Sequence, residues 1–203
     1  MKLYEDSRAP NPRRVRIFLA EKGIEVPRIE LDIMAEEHLA PEMARRNPLT
    51  RVPFLELDDG TVIAETVAIC RYFEALQPAP SLMGETPKEQ AVIEMWQRRV
   101  EQNLFQTVSQ CFRHQHPRMA HLETPQIPEW GAANKPKAER MLALLDRELA
   151  ERPFIAGPDF SIADITAICT IDFMKVARIE MGDELVNLRR WRETVSRRPS
   201  AAA

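Results

Sequence analysis

Asn47-Pro48-Leu49-Thr50-Arg51-Val52-Pro53-Phe54-Leu55 is the stretch from which the fold can be read. The Asn-Pro dipeptide opens a turn. An apolar run from Val52 to Leu57 follows and predicts a strand. Pro53 lies near its start, and a proline has no N–H for a sheet ladder, so it belongs at a strand start, an edge or a bend. A cis bond before Pro53 would turn the Val52 main chain outward, with its amide and carbonyl free. Such groups beside a strand can pair with an extended peptide as one more strand. The alternative is an ordinary loop leading into a strand.

Outward from this stretch the first half alternates strands and helices. Leu3-Tyr4 is a short strand, and Asn11-Pro12 reads as N-cap and first residue of a helix that Gly23 ends. A second strand lies near Arg28–Leu31, and a short helix spans Glu42 to Arg46. Asp58-Asp59-Gly60 predicts a hairpin turn between Phe54–Leu57 and Thr61–Ala64. Glu65-Thr66 then opens a helix with Ile69, Cys70, Phe73 and Leu76 on its apolar face. The order β-α-β-α-β-β-α predicts an α/β layer fold. From Gln77-Pro78-Ala79-Pro80 a linker runs to about Pro87. Beyond it the strand signals stop. Val92, Trp96, Val100, Leu104, Val108 and Phe112 recur at helical spacing. Further helices carry Met141–Leu149, residues 162–173 behind a Ser161…Asp164 capping box, and Leu185–Val195. The second half reads as all-α.

The whole chain narrows the function classes. Its 203 residues suffice for one large or two small cores. With 28 Lys+Arg against 31 Asp+Glu, the formal charge of −3 argues against nucleic acid as a partner. The clusters Arg13-Arg14-Arg16 and Arg189-Arg190-Arg192 read as solvated helix faces. No apolar run is long enough to cross a bilayer, and the start lacks the apolar segment of a secretory signal. Cys70, Cys111 and Cys169 lie far apart without CxxC spacing, which predicts reduced, buried thiols in a cytoplasmic protein and no metal site.

Several separated motifs occur in a telling order: Asn47-Pro48 through Val52-Pro53, Glu65-Thr66-Val67-Ala68-Ile69 with Tyr72, and Gly157 followed by Ser161-Ile162-Ala163-Asp164. In these the chain resembles the cytosolic glutathione S-transferases, of theta-like or bacterial type, over essentially its whole length. The resemblance implies a thioredoxin-like glutathione-binding domain over residues 1–78, a linker over 79–87 and an all-helical bundle domain over 88–203. It also implies a homodimer with glutathione as co-substrate. Val52, before a cis Pro53, would pair its main chain with the cysteinyl unit. Glu65 and Thr66 would hold the γ-glutamyl end at a helix N-terminus, whose amides suit a carboxylate. Arg51 and His38 match positions that reach the glycyl carboxylate in theta-like members. For His38 the alternative is a solvated loop histidine, and for Glu65-Thr66 a plain helix cap.

The catalytic position departs from the pattern. Many members carry a hydroxyl residue just before the first helix, and here that position holds Ala9. Ala9-Pro10-Asn11 is similar to the Thr-Pro-Asn of certain bacterial members, which makes Asn11 a catalytic candidate. Ser7, two residues before Ala9, is the other. The reaction needs the thiolate of glutathione. One hydrogen-bond donor and a helix N-terminus aimed at the sulfur favour the anion without a base. The expectation is a transferase acting on a small apolar electrophile, with glutathione-dependent peroxide reduction as an added activity. That substrate would sit between the Ser7–Asn11 loop and the long helix around Phe105, Val108, Ser109, Phe112 and Arg113. The alternative, prompted by Ala9, is a protein of the same fold that binds glutathione without turnover. The zeta-like isomerases carry a Ser-Ser-Cys signature that Ala9-Pro10-Asn11 lacks.

Overall fold

The computed structural model describes residues 1–203. They divide into two compact units, residues 1–82 together with 199–203, and residues 83–198. The first is built on a four-stranded sheet in the order β2-β1-β3-β4. Its strands are β1 (Lys2–Glu5), β2 (Arg28–Glu30), β3 (Phe54–Glu56) and β4 (Val62–Ala64). β1 runs parallel to β2 and antiparallel to β3, and β3 and β4 form a hairpin. The helices of this unit are α1 (Pro10–Lys22), α2 (Pro41–Arg46) and α3 (Thr66–Leu76).

Strand alternation sorts the core. Tyr4 and Phe54 stack at 4.4 Å and share one cluster with Leu31, Met43 and Val52. Leu3 and Leu55, of opposite parity, are fully buried, as are Val15 and Phe18 of α1 and Ile69 of α3. α1 packs against α3.

Turn chemistry behaves as its residues dictate. Gly23 has φ 64°, and the N–H of Ile24 bonds back to the Leu19 carbonyl at 2.9 Å, closing α1 with a left-handed residue that glycine adopts without penalty. Gly60, at φ 86°, closes the β3–β4 hairpin, where Leu57 N–H meets the Thr61 carbonyl at 2.8 Å.

Three expectations need correction. The strand begins at Phe54 and not at Val52, because Pro53 cannot donate and Val52 leaves the ladder. The N-cap of α1 is Ala9, with Pro10 as first helical residue, so Asn11 lies inside the first turn. Both Pro10 and Pro12 fit there, since first-turn N–H groups have no intrahelical acceptor. Thirdly, Arg14 and Arg16 are buried, at 2% and 8% exposure, not solvated. Arg16 forms an ion pair with the buried Glu5 at 2.6 Å and donates to the Ser7 carbonyl at 2.9 Å, tying the end of β1 to α1.

The second unit is helical. α4 (Pro87–Val100) and α5 (Gln106–Gln115) are joined without a break by a π-helical turn at Glu101–Phe105. α6 (Pro128–Ala150) packs on α5, and α7 (Ile162–Phe173) packs on α4, with α8 (Val186–Ser196) completing the unit. α7 is its centre: every residue from Ile162 to Ile171 is buried. Asp164 at its start is wholly buried and accepts from Ser161 N–H, Ser161 Oγ, Ile155 N–H and Trp191 Nε1 at 2.8–3.1 Å. Burial pushes its carboxyl above the usual range, against four donors that favour the anion. No helix is long and apolar enough to cross a membrane. All three cysteines are buried and none forms a disulfide. Residues 199–203 group with the first unit.

Candidate functional site

The strand register gathers the candidate residues of the first unit at one end of the sheet. Phe54 pairs with Ala64, so Val52-Pro53 and Glu65-Thr66 flank the same paired position. Phe54 also pairs with Tyr4, which brings the carboxyl end of β1, and with it Ser7 and the start of α1, to that end. β2 runs parallel to β1, so its carboxyl end leads there too, toward the short turn Glu37–Leu39 that carries His38. Sites in α/β folds commonly form at the carboxyl ends of strands, where connecting loops supply the chemistry.

The loop from Asn47 is fixed by Asn47 itself, which is buried. Its side-chain oxygen accepts from Leu49 N–H, and its amide donates to the Arg51 carbonyl at 2.8 Å. Thr50 takes φ 49° within this turn. The peptide bond Val52-Pro53 is cis. The Val52 side chain is anchored in the Tyr4–Phe54 cluster, while its main-chain N–H and C=O enter no backbone hydrogen bond. An anchored residue with free main-chain groups is what docking of an extended peptide requires.

Across the hairpin, Glu65 is exposed, with φ 70°, and caps α3 only by its backbone. No side chain hydrogen-bonds the first-turn N–H groups of α3 as a cap, and Thr66 is buried. Free amides at the positive end of an eleven-residue helix suit a carboxylate. The exposed Glu65 carboxylate beside them suits an ammonium.

His38 is 9% exposed, which disagrees with a solvated loop histidine. Its Nδ1 is buried without a hydrogen-bond partner. Burial pushes the imidazole below its ordinary value, while Glu36 and Asp6 pull the other way. Arg51 is exposed and pairs with no carboxylate of this chain, although its carbonyl is held by Asn47.

The start of α1 holds both catalytic candidates, Ser7 just before it and Asn11 in its first turn. Ala9 offers no hydroxyl. The Ser7 hydroxyl and Ser7 N–H both donate to Glu30 Oε1, at 2.9 and 2.8 Å, so the Ser7 proton is already engaged. Asn11 is partly exposed, and its Oδ1 accepts from Arg14 Nη1 at 3.0 Å. In the sequence Asn47 read only as the opening of a turn and Arg14 only as part of a solvated helix face, so the contacts each makes were missed. The i, i+3 spacing of Asn11 and Arg14, 14 − 11 = 3, places them on one helix face and was the available signal.

A wide groove of about 1050 Å³ in the helical unit, lined by Trp96, Arg99, Trp130, Lys137 and Arg140 among others, contains none of these candidates. The candidate residues all lie in the first unit.

The chain is similar to known proteins along nearly its whole length. Residues 9–76 match the glutathione S-transferase N-terminal domain, and residues 100–199 match the C-terminal domain. The chain is 40% identical to Glutathione S-transferase 2 of Saccharomyces cerevisiae, over 98% of this chain and 87% of that one. A crystal structure of a glutathione S-transferase domain-containing protein from Marinobacter aquaeolei superposes with TM-score 0.95 at 42% identity, covering 98% of this chain and 99% of that one. A glutathione S-transferase of class Gtt2 from Vibrio parahaemolyticus gives 0.87 at 37%, covering 98% and 95%. With both domains matched and such relatives along nearly its full length, the chain belongs to the glutathione S-transferase family.

Proposed function

We propose that this glutathione transferase holds the tripeptide extended along Val52 and uses its thiolate against a small apolar electrophile. The single observation that carries this reading is the free main chain of Val52, flanked by the uncapped amides of α3. The cysteinyl unit pairs with Val52 as a short antiparallel strand. The γ-glutamyl carboxylate takes the amides of Thr66 and Val67, and its ammonium takes Glu65. His38 and Arg51 serve the glycyl carboxylate, a role in keeping with the unpartnered Nδ1 of His38 and the unpaired guanidinium of Arg51.

The sulfur then lies at the amino end of α1, where Asn11 supplies the donor. A free thiol is only a few per cent ionised at neutral pH. Lowering its pKa by about two units raises the thiolate fraction roughly 25-fold. The thiolate attacks carbon, an S–C bond forms, and a leaving group such as halide departs with the displaced electron pair. Reduction of organic hydroperoxides follows from the same thiolate attacking the terminal oxygen: the O–O bond breaks, the alcohol departs, and a second glutathione converts the resulting sulfenic acid to glutathione disulfide and water. A homodimer acting in detoxification in the cytoplasm completes the proposal.

Turnover of 1-chloro-2,4-dinitrobenzene, an aryl isothiocyanate and cumene hydroperoxide tests it. Rates above the uncatalysed reaction with at least one are expected, and rates at background with all three refute catalysis. Ala9 favours one second reading, a binder without turnover. Ultraviolet titration of the bound thiol separates the two: a depressed pKa marks the enzyme, an unshifted one the binder.

A further inference from the structure

At the amino end of α1 the supply of hydrogen-bond donors is unusually small. Ala9 has no side-chain donor, and its N–H is taken by the Asp6 carbonyl at 3.0 Å. Pro10 and Pro12 have no N–H at all. The N–H of Arg13 bonds back to the Ala9 carbonyl at 3.4 Å. What remains is Asn11, with one backbone N–H and one side-chain NH₂.

A side-chain amide helps a thiolate only by its nitrogen end; its oxygen end would repel the anion. Which end faces outward is therefore decisive. The Arg14 guanidinium is a donor only. Its Nη1 lies 3.0 Å from Asn11 Oδ1, so the oxygen must point toward Arg14 and Nδ2 must point away. Arg14 is 2% exposed, so its head group is held in place by the fold rather than free in solvent. The donated proton also polarises the amide and strengthens its N–H as a donor.

We propose that Arg14 is a positioning residue for the transferase reaction: its buried guanidinium locks the Asn11 amide with the NH₂ presented to the glutathione sulfur. The inference rests on the tripeptide docking described above and adds to it the group that sets the donor's orientation. It also explains how a chain with Ala9 at the hydroxyl position keeps a donor there. A freely flipping amide would show the sulfur its oxygen part of the time, and Arg14 removes that state.

The test compares Arg14→Met, Asn11→Ala and the double variant by the pKa of bound glutathione thiol and by the pH profile of kcat. Affinity for S-methylglutathione, which has no thiol proton, reports docking separately. Arg14→Met is expected to raise the bound thiol pKa by about one unit, roughly a threefold loss of thiolate at pH 7 from a thiol held about two units below its free value, with S-methylglutathione affinity within about threefold of the unaltered protein. In the Asn11→Ala background Arg14→Met should add nothing further, because its effect passes through the amide. A thiol pKa and pH profile unchanged in Arg14→Met overturn the proposal. Should Arg14→Met not fold, Asn11→Asp decides: it keeps the acceptor for Arg14 but replaces the outward NH₂ by oxygen. A raised thiol pKa in Asn11→Asp is the expected result, and an unchanged or lowered one refutes the outward NH₂. Failure of the unaltered protein to bind S-methylglutathione at millimolar concentration overturns the docking and this inference together, whereas normal binding with an unmoved thiol pKa overturns this inference alone.

Discussion

Glu65 holds φ at 70°, a region that L side chains other than Asn and Asp seldom enter. Such a residue costs roughly 1–3 kcal/mol and persists where the surroundings demand it. Here the turn from β4 into α3 leaves one residue to reverse direction, and the proposed ammonium contact requires an acid at that place. Glu65→Gly should therefore stabilise the fold by about 1 kcal/mol in urea denaturation, since glycine adopts this φ freely. The same variant should lose most of its glutathione affinity in calorimetry. His38 gives a pH prediction. Burial keeps its imidazole neutral in the free protein at pH 7. In the proposed complex the glycyl carboxylate beside His38 would favour the imidazolium, so binding would take up a proton that the free protein lacks. Affinity for S-methylglutathione should therefore rise roughly fivefold between pH 7 and pH 5, and His38→Asn should flatten the dependence.

Among the elements, the carboxyl end of α1 is secured by Lys22, whose side chain is fully buried. Its Nζ reaches Glu74 of α3 at 2.7 Å and the carbonyls of Gln77 and Pro80 at 2.7 and 2.8 Å. One ammonium thus joins α1, α3 and the segment that follows α3. Removing one member of a buried pair leaves the other charge uncompensated. Lys22→Met should cost about 3–5 kcal/mol, read as a lower urea midpoint with an unchanged slope. The element order and the hairpin were legible in the sequence because their signals are local. Asp58-Asp59-Gly60 and Gly23 state a turn and a helix end by backbone chemistry alone. The start of α1 was misread by two residues because Pro10 and Pro12 both satisfy the rule for a first helical turn. Asn11 also resembles an N-cap that tertiary packing does not use. Arginine burial was illegible for another reason. A charged residue enters the interior only when a partner distant in sequence, such as Glu5 for Arg16, is already placed there. For the candidate site, Val52, Glu65 and Thr66 were read from motif order, while the hydrogen bonds of Arg14 to Asn11 and of Asn47 to Leu49 and Arg51 are contacts that residue order does not display.

At the scale of the whole molecule, the change from alternating strands to helices alone separated the two halves, and it is visible as a change of hydrophobic period. What that period could not reveal is where the last residues go. Residues 199–203 rejoin the first unit: Arg13 Nη2 donates to the Ala201 carbonyl at 2.9 Å, and Ser200 Oγ donates to Glu21. Both contacts fall on α1, the helix that carries Asn11. A chain ended at Arg198 should lose about 1–2 kcal/mol of stability and weaken glutathione binding, checked by denaturation and calorimetry in parallel. The tail has a further consequence during synthesis on the ribosome. Amino-terminal domains usually finish folding while later ones are still being made. Here the sheet-bearing half waits for residues translated after every helix of the other half, so a nascent chain halted midway should emerge with a loosened first helix.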